Sequence, residues 1–193
     1  MGIEYERKFR ATESVLEEIR NAFSEEEQVY KMETTYYDAP DKALSNRWYT
    51  LRRRMENDRC VCTLKAPVSQ RGRGEWEVDC DNIEKAILEL CKLGAPKDLI
   101  LLTRGGVIPV CGAKFTRIAK TLVLENCTVE LALDEGILFG GGKEIPLCEV
   151  EVELKDGTAD SCDAFARTLA DRFSLENEDH SKFRRALALY EGA

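Results

Sequence analysis

The feature that most constrains this chain is a strict alternation of charged and apolar residues in two stretches that bracket most of it. Cys148 to Lys155 reads CEVEVELK. If it is extended, Glu149, Glu151 and Glu153 share one face and Cys148, Val150, Val152 and Leu154 the other. Met1 to Arg10, MGIEYERKFR, sets Glu4, Glu6 and Lys8 against Ile3, Tyr5, Arg7 and Phe9 in the same way. Like charges directly opposed in a sheet destabilise it, and carboxylates gathered within a few ångströms take up protons or bind a cation. Two arrangements satisfy the pattern. Either the acidic faces are solvated sheet surface, or they point into one interior, where a hard divalent metal held by oxygens is the simplest neutraliser.

Between the acidic stretches the charge reverses. From Leu44 to Arg73 the chain carries Arg47, Arg52, Arg53, Arg54, Arg59, Lys65, Arg71 and Arg73 against only Glu56 and Asp58. A basic segment inside a protein of net charge −8 points to a local site for a small anion, while the total argues against bulk binding to nucleic acid or anionic lipid. No apolar run is long enough to span a membrane and the N-terminus lacks an apolar leader, so a cytoplasmic protein is expected. The eight cysteines contain no CxxC pair and sit inside strand- or helix-like patterns, which reads as free thiols. A single histidine, His180, excludes His-rich zinc sites.

Along the chain, Ser14 with Glu17 makes a capping-box signature for a helix over 14–24. Strands are expected over 29–38, 47–55, 59–66, 72–79, 113–124 and 128–134, the last closing at a Glu135-Gly136 hairpin, with Gly140 to Lys143 a further hairpin loop. Asp81 with Glu84 signals a second helix, and helices are expected over 159–173 and 180–190. About eight strands joined mostly as hairpins, in one domain spanning 1–193, imply an α+β fold: an antiparallel sheet or barrel with helices packed outside.

The charged positions are Glu4, Glu6 and Lys8; Arg52 and Arg54; Lys65; Glu75 and Glu77; Lys114 and Arg117; Glu130 and Asp134; and Glu149, Glu151 and Glu153. Facing inward, they need a ligand and metals to complete the pairing. A polyphosphate with divalent cations does so, because arginine and lysine take phosphate oxygens while carboxylates hold the metals.

In order, EYERK, TYYD (35–38), LRRR (51–54), TLK (63–65), EWE (75–77), ALDEG (132–136), CEVEVEL (148–154) and SKFRRAL (181–187) resemble the CYTH superfamily, the triphosphate tunnel metalloenzymes. The resemblance implies an eight-stranded antiparallel barrel enclosing a tunnel, and cleavage or rearrangement of a triphosphate with Mg2+ or Mn2+. Carried over residue by residue, Glu4, Glu6, Glu77, Asp134, Glu149 and Glu151 are the expected metal-holding carboxylates. Lys8, Arg52, Arg54, Lys65, Lys114, Arg117 and Lys182 are the expected phosphate clamp, and Glu4, Glu6, Lys8 and Lys65 the catalytic candidates. Lys120 is a weaker clamp candidate and Glu75 a supporting residue. Arg53 points away from Arg52 and Arg54, Glu153 meets a lysine or the mouth, and Tyr37 and Asp38 shape a turn.

The C-terminal motifs look most like bacterial inorganic triphosphatases, which makes hydrolysis of inorganic tripolyphosphate to pyrophosphate and phosphate the leading expectation. Thiamine-triphosphatase and class IV adenylate cyclase are the alternatives within the family, and an RNA 5′ end stays open as a substrate. Trp48 reads as core or as a stacking surface for an organic group. A non-catalytic polyphosphate binder would need only the basic side. The partner is a small-molecule triphosphate, not a membrane, acting on a monomer or homodimer.

Overall fold

A computed structural model describes residues 2–3, 5–69 and 72–192. The strands are β1 (Gly2–Ile3), β2 (Glu6–Arg10), β3 (Gln28–Asp38), β4 (Thr50–Glu56), β5 (Arg59–Ser69), β6 (Gly72–Asp79), β7 (Ile108–Val123), β8 (Cys127–Gly140), β9 (Lys143–Gly157) and β10 (Glu176–Asn177). The helices are α1 (Glu13–Ala22), α2 (Ile83–Lys92), α3 (Asp98–Leu102), α4 (Ala159–Phe173) and α5 (Lys182–Glu191). None is long and apolar enough to cross a membrane. All eight cysteines are free thiols.

The strands form one antiparallel sheet in the order β1-β6-β5-β4-β3-β7-β8-β9-β2-β10. This bears out the α+β class but corrects the closed eight-stranded barrel. The expected first strand is split: residues 2–3 pair with β6, whereas 6–10 pair with β9. The N-terminal segment thus joins the two ends of the sheet by the chain itself, and no continuous ladder runs around the described residues. β10 is the other addition, two residues paired to Phe9 and Arg10.

Three apolar clusters place the helices. Leu16 and Ile19 of α1 and Cys162, Ala166 and Leu169 of α4 pack on Leu131, Leu133, Val150 and Val152, the apolar halves of β8 and β9. Ile87, Leu90 and Leu99 of α2 and α3 cover Leu51, Leu64 and Trp76 of β4–β6. These are the outer faces. The inner face is left to α5, whose Phe183, Ala186 and Leu187 fill one end against Tyr36, Phe115, Leu138 and Leu147. Burying a leucine or phenylalanine in such a cluster contributes about 1.5–3 kcal/mol.

Local signals decide the element ends. Thr12, rather than Ser14, caps α1, its Oγ1 accepting from the Val15 amide at 3.3 Å. Asn82, rather than Asp81, caps α2 by accepting from Lys85 N at 2.9 Å. β8 runs straight through the expected turn at Glu135-Gly136 and reverses only at Gly141 and Gly142, both at positive φ. Gly136 answers a different need: a Cβ there would lie 2.2 Å from the Lys114 carbonyl oxygen, so glycine permits the close approach of β7. Buried Asp38 organises the turn after β3, its Oδ1 accepting from Ala39 N at 2.8 Å and Leu44 N at 2.9 Å.

Candidate active site

The pairing register fixes which side chains meet. Lys8 stands opposite Glu151 and Glu6 opposite Glu153. Asp134 stands opposite both Arg117 and Glu149. On the other side Arg52 is opposite Thr63, Thr63 opposite Glu77, and Lys65 opposite Glu75. All of these belong to the face not covered by α1–α4. One cavity of about 90 Å3 touches Glu6 and Lys8, Thr50, Arg52 and Arg54, Lys65, Arg73, Arg117, Glu151 and Lys182. Side chains from both halves of the sheet converge on it, so the sheet curls around it and the ionic face is an interior. The solvated-surface arrangement is excluded for the positions that line the cavity.

The acidic side is dense and internally paired. Asp134, Glu149 and Glu151 each offer a carboxylate oxygen within 4.8 Å of the others. The Lys182 ammonium sits among them, 2.8 Å from Asp134, 2.7 Å from Glu151 and in contact with Glu149. The Arg117 guanidinium donates two 2.7 Å bonds to Asp134 and a further one to Glu151. Arg185 donates to Glu149 and reaches Glu178 at 3.3 Å. Burial pushes Glu149 up to about 7, Lys182 acting against it. Burial would raise Glu151 too, but Lys182 and Arg117 hold it well below the usual carboxylate range. Burial disfavours the Lys182 ammonium, and the three carboxylates more than reverse that. The cations lie around one ring, with Arg54, Arg117 and Lys182 at 6.0, 6.0 and 5.4 Å from the Phe115 centroid.

The basic side is looser. Arg52 lies 3.5 Å from Glu75 and 4.0 Å from Glu77, and its buried Nε has no hydrogen-bond partner among the described residues. Lys65 lies 3.4 Å from Glu75, and Lys8 3.3 Å from Glu6. Arg54 donates to Thr34 Oγ1 at 3.0 Å, and burial followed by its neighbour Arg52 lowers it to about 10. Arg73 is held by the Trp48 carbonyl and Thr50 Oγ1, each at 3.1 Å.

Of the expected residues, Glu6, Lys8, Arg52, Arg54, Lys65, Arg117, Asp134, Glu149, Glu151 and Lys182 come together on the inner face. Glu75 joins them beside Arg52 and Lys65, whereas Glu77, expected among the metal carboxylates, is exposed, accepts from Thr63 Oγ1 at 2.9 Å and stands apart from the cluster of Asp134, Glu149 and Glu151. Glu4 lies outside the described residues. Lys114 is a correction: it is exposed and opposite in parity to Arg117, pairing across the ladder with Ile137 and Glu33 on the outer face. Lys120 is another, since its ammonium donates to the Arg20 and Phe23 carbonyls and thereby caps the end of α1. Trp48 is not core; it is 63% exposed at positive φ, with the Arg184 guanidinium 4.8 Å from its ring. Glu153 pairs with Lys155 at 2.8 Å, and Arg53 points outward to the Asp81 carbonyl. Arg73, Arg185, Glu178 and Phe115 were not singled out from sequence. Parity on β6 and β7 would have found Arg73 and Phe115.

The donor set suits a hard divalent ion. It is all carboxylate oxygen, with no imidazole or thiolate near it, and is clustered closely enough to share one ion. Asp134, Glu149 and Glu151 would hold it, with Glu6 lining the same cavity.

Comparison with known proteins agrees with this geometry. A family model described as CYTH domain matches residues 2–187. An inorganic triphosphatase from Haemophilus influenzae is 28% identical over 157 residues, covering 80% of this chain and 45% of that protein. The chain therefore spans about half the length of this curated relative. A Hippeastrum protein studied as an adenylyl cyclase, and described as having a dominant triphosphatase activity, superposes with a TM-score of 0.62 at 18% identity, covering 100% of this chain and 96% of that one. A Bacillus halodurans protein provisionally assigned as an adenylate cyclase gives 0.63 at 15% identity, covering 95% and 96%. At these identities the two structures speak for the fold alone. The matched span takes in both acidic strands, the arginine strand and the start of α5, and the chain belongs to the CYTH domain family.

Proposed function

We propose that this protein is a divalent-metal-dependent triphosphatase that cleaves inorganic tripolyphosphate to pyrophosphate and phosphate, with Mg2+ or Mn2+ as the ion. The observation that carries this reading is the opposition of two charged walls across one small cavity. Arg52, Arg54, Lys65 and Arg73 line it together with Lys8, Lys182 and Glu151, and Glu151 belongs to the carboxylate cluster completed by Asp134 and Glu149.

On this reading Arg52 and Arg54 grip phosphate oxygens through charge-assisted hydrogen bonds, while Lys65 and Lys8 supply point charges along the chain. Phosphoryl transfer asks mainly for positioning and charge stabilisation, which fixed cations in a water-poor cavity provide. Asp134, Glu149 and Glu151 would hold the ion, which would supply neutralisation of phosphate charge and a more acidic water. A carboxylate of the inner face such as Glu6 would accept a proton from the attacking water.

The choice of the free inorganic chain is supported by the similarity to an inorganic triphosphatase and by an inner cavity of about 90 Å3 lined by Arg52, Arg54, Lys65 and Arg73. A second reading rests on Trp48, which borders a wider outer space of about 580 Å3 together with Arg184 and His180. An organic group of ATP or thiamine triphosphate would lie there. The Arg184 guanidinium already covers the indole, which disfavours a cationic thiazolium. A panel of tripolyphosphate, ATP and thiamine triphosphate with Mg2+ or Mn2+ tests the proposal. Tripolyphosphate is expected to be cleaved fastest, and ATP to give orthophosphate rather than cyclic AMP. The opposite order, or cyclic AMP as the main product, would overturn it.

A further inference from the structure

We infer that the Lys182 ammonium holds the place of the divalent ion among Asp134, Glu149 and Glu151, and passes to the phosphate chain when ion and substrate bind together. The inference rests on the reading that these carboxylates hold the metal, and concerns how the site stays folded and selective before it is loaded.

Charge sets the problem. Asp134, Glu149 and Glu151 are met by Lys182, Arg117 and Arg185, three against three. Adding a divalent ion with all three cations in place would leave an excess of positive charge in a buried site, at a heavy desolvation cost. One cation must leave. Arg117 is fixed by two parallel bonds to Asp134, and Arg185 is also tied to Glu178 outside the cluster. Lys182 touches all three carboxylates from a flexible four-carbon stem, whose backbone is anchored at the first turn of α5 by the Ser181 cap.

Its destination is set by the same geometry. Lys182 already lines the cavity shared with Lys8, Arg52, Arg54 and Lys65. Those cations outnumber the Glu6 and Glu151 carboxylates lining the same cavity, so a further ammonium there is repelled unless another anion is present. The polyphosphate supplies that anion, so ion and substrate each favour the other through Lys182, and the coupling is reciprocal. Without substrate the ammonium keeps the carboxylates neutralised and competes with free metal.

The test is calorimetric titration of Mn2+ alone into the wild-type protein and Lys182→Met, then repeated with a non-hydrolysable imido analogue of tripolyphosphate. Lys182→Met is expected to bind Mn2+ at least tenfold more tightly without the analogue. The tightening caused by the analogue is expected to be smaller in the variant than in the wild type. Equal or weaker Mn2+ binding by the variant would overturn the exchange, while leaving the triphosphatase assignment to the substrate panel. Mn2+ binding to neither protein would overturn both the exchange and the metal reading. Tenfold tightening without any tripolyphosphate cleavage would fault the assigned reaction and leave the exchange standing. Because the variant leaves buried carboxylates short of a cation, thermal melts accompany the titration. Mn2+ is expected to raise Tm more in Lys182→Met than in the wild type. A variant that Mn2+ does not restore would contradict the inference, since the ion is held to occupy the same place.

Discussion

The two walls of the cavity are built from the same kinds of residue and solve their electrostatics differently. On the β8–β9 side every carboxylate of the cluster has a cation in direct contact, and Asp134 and Glu149 are fully buried. On the β4–β6 side Arg52 reaches Glu75 at 3.5 Å and Glu77 at 4.0 Å, and its Nε has no acceptor among the described residues. One wall is a buried cluster of carboxylates crossed by cations; on the other, Arg54 and Arg73 bond to neutral oxygens at 3.0 and 3.1 Å, and Arg52 keeps its carboxylates at 3.5 Å or more. A buried donor left unmade costs about 1–3 kcal/mol, and at Arg52 Nε a bound anion would remove that cost. On the proposed function, the Arg52 side receives the phosphate chain and the Glu149 side the metal.

Breaking the acidic wall should have the largest effect. Glu151→Gln removes a charge contacted by both Arg117 and Lys182. Tripolyphosphate turnover is expected to fall roughly 10²–10³-fold, the range for losing one major charge-stabilising group. Stability should drop by about 3–5 kcal/mol because buried cations lose a partner, and thermal melting checks this. Arg52→Ala on the looser wall should separate the two quantities. KM should rise roughly 10–100-fold, the worth of a hydrogen bond to a charged group at about 1.5–3 kcal/mol. Tm should hold or increase, because a poorly paired buried charge is gone. A matching loss of stability in both variants would erase the distinction between the walls.

Two further changes mark where the comparison ends. On the outer face the Arg7 guanidinium donates to Asp163 and holds its carboxyl near about 2, assisted by Tyr5. A carboxylate with a depressed folded pKa contributes stability above its unfolded value of about 3.9, lost as pH falls through the folded one. Melting between about pH 4 and pH 2 should therefore be less acid-sensitive in Arg7→Ala, by under about 1 kcal/mol for so exposed a pair. Lys114→Ala, on the outer face, should leave turnover within about twofold, as surface substitutions usually do. A larger effect would return Lys114 to the clamp.

Period-two alternation made most of this legible. Glu149 and Glu151, Arg52 and Arg54, and Glu75 and Glu77 each reveal a face by themselves, because successive side chains on a strand point to opposite sides. The same rule, applied between Lys114 and Arg117, places them on opposite faces, so motif spacing misled where parity did not. Turn residues were harder. Gly136 looks like a hairpin glycine next to Glu135, but what it accommodates is the β7 backbone, a neighbour distant in sequence. The division of the first strand between β6 and β9 is likewise a long-range event, set by which edge each half reaches. Arg185 and Glu178 entered the site through the packing of α5 and the loop before it, which no local pattern announces.

The central claim, that the basic wall takes the anion, is most directly tested without metal or turnover. Tripolyphosphate would be titrated calorimetrically, in the presence of a chelator, into the wild-type protein and into the double variant Arg52→Ala, Arg54→Ala. The expected result is a single binding event in the wild type that weakens with salt and is lost in the variant. Equal binding by both proteins would place the anion elsewhere and contradict the assignment of these walls.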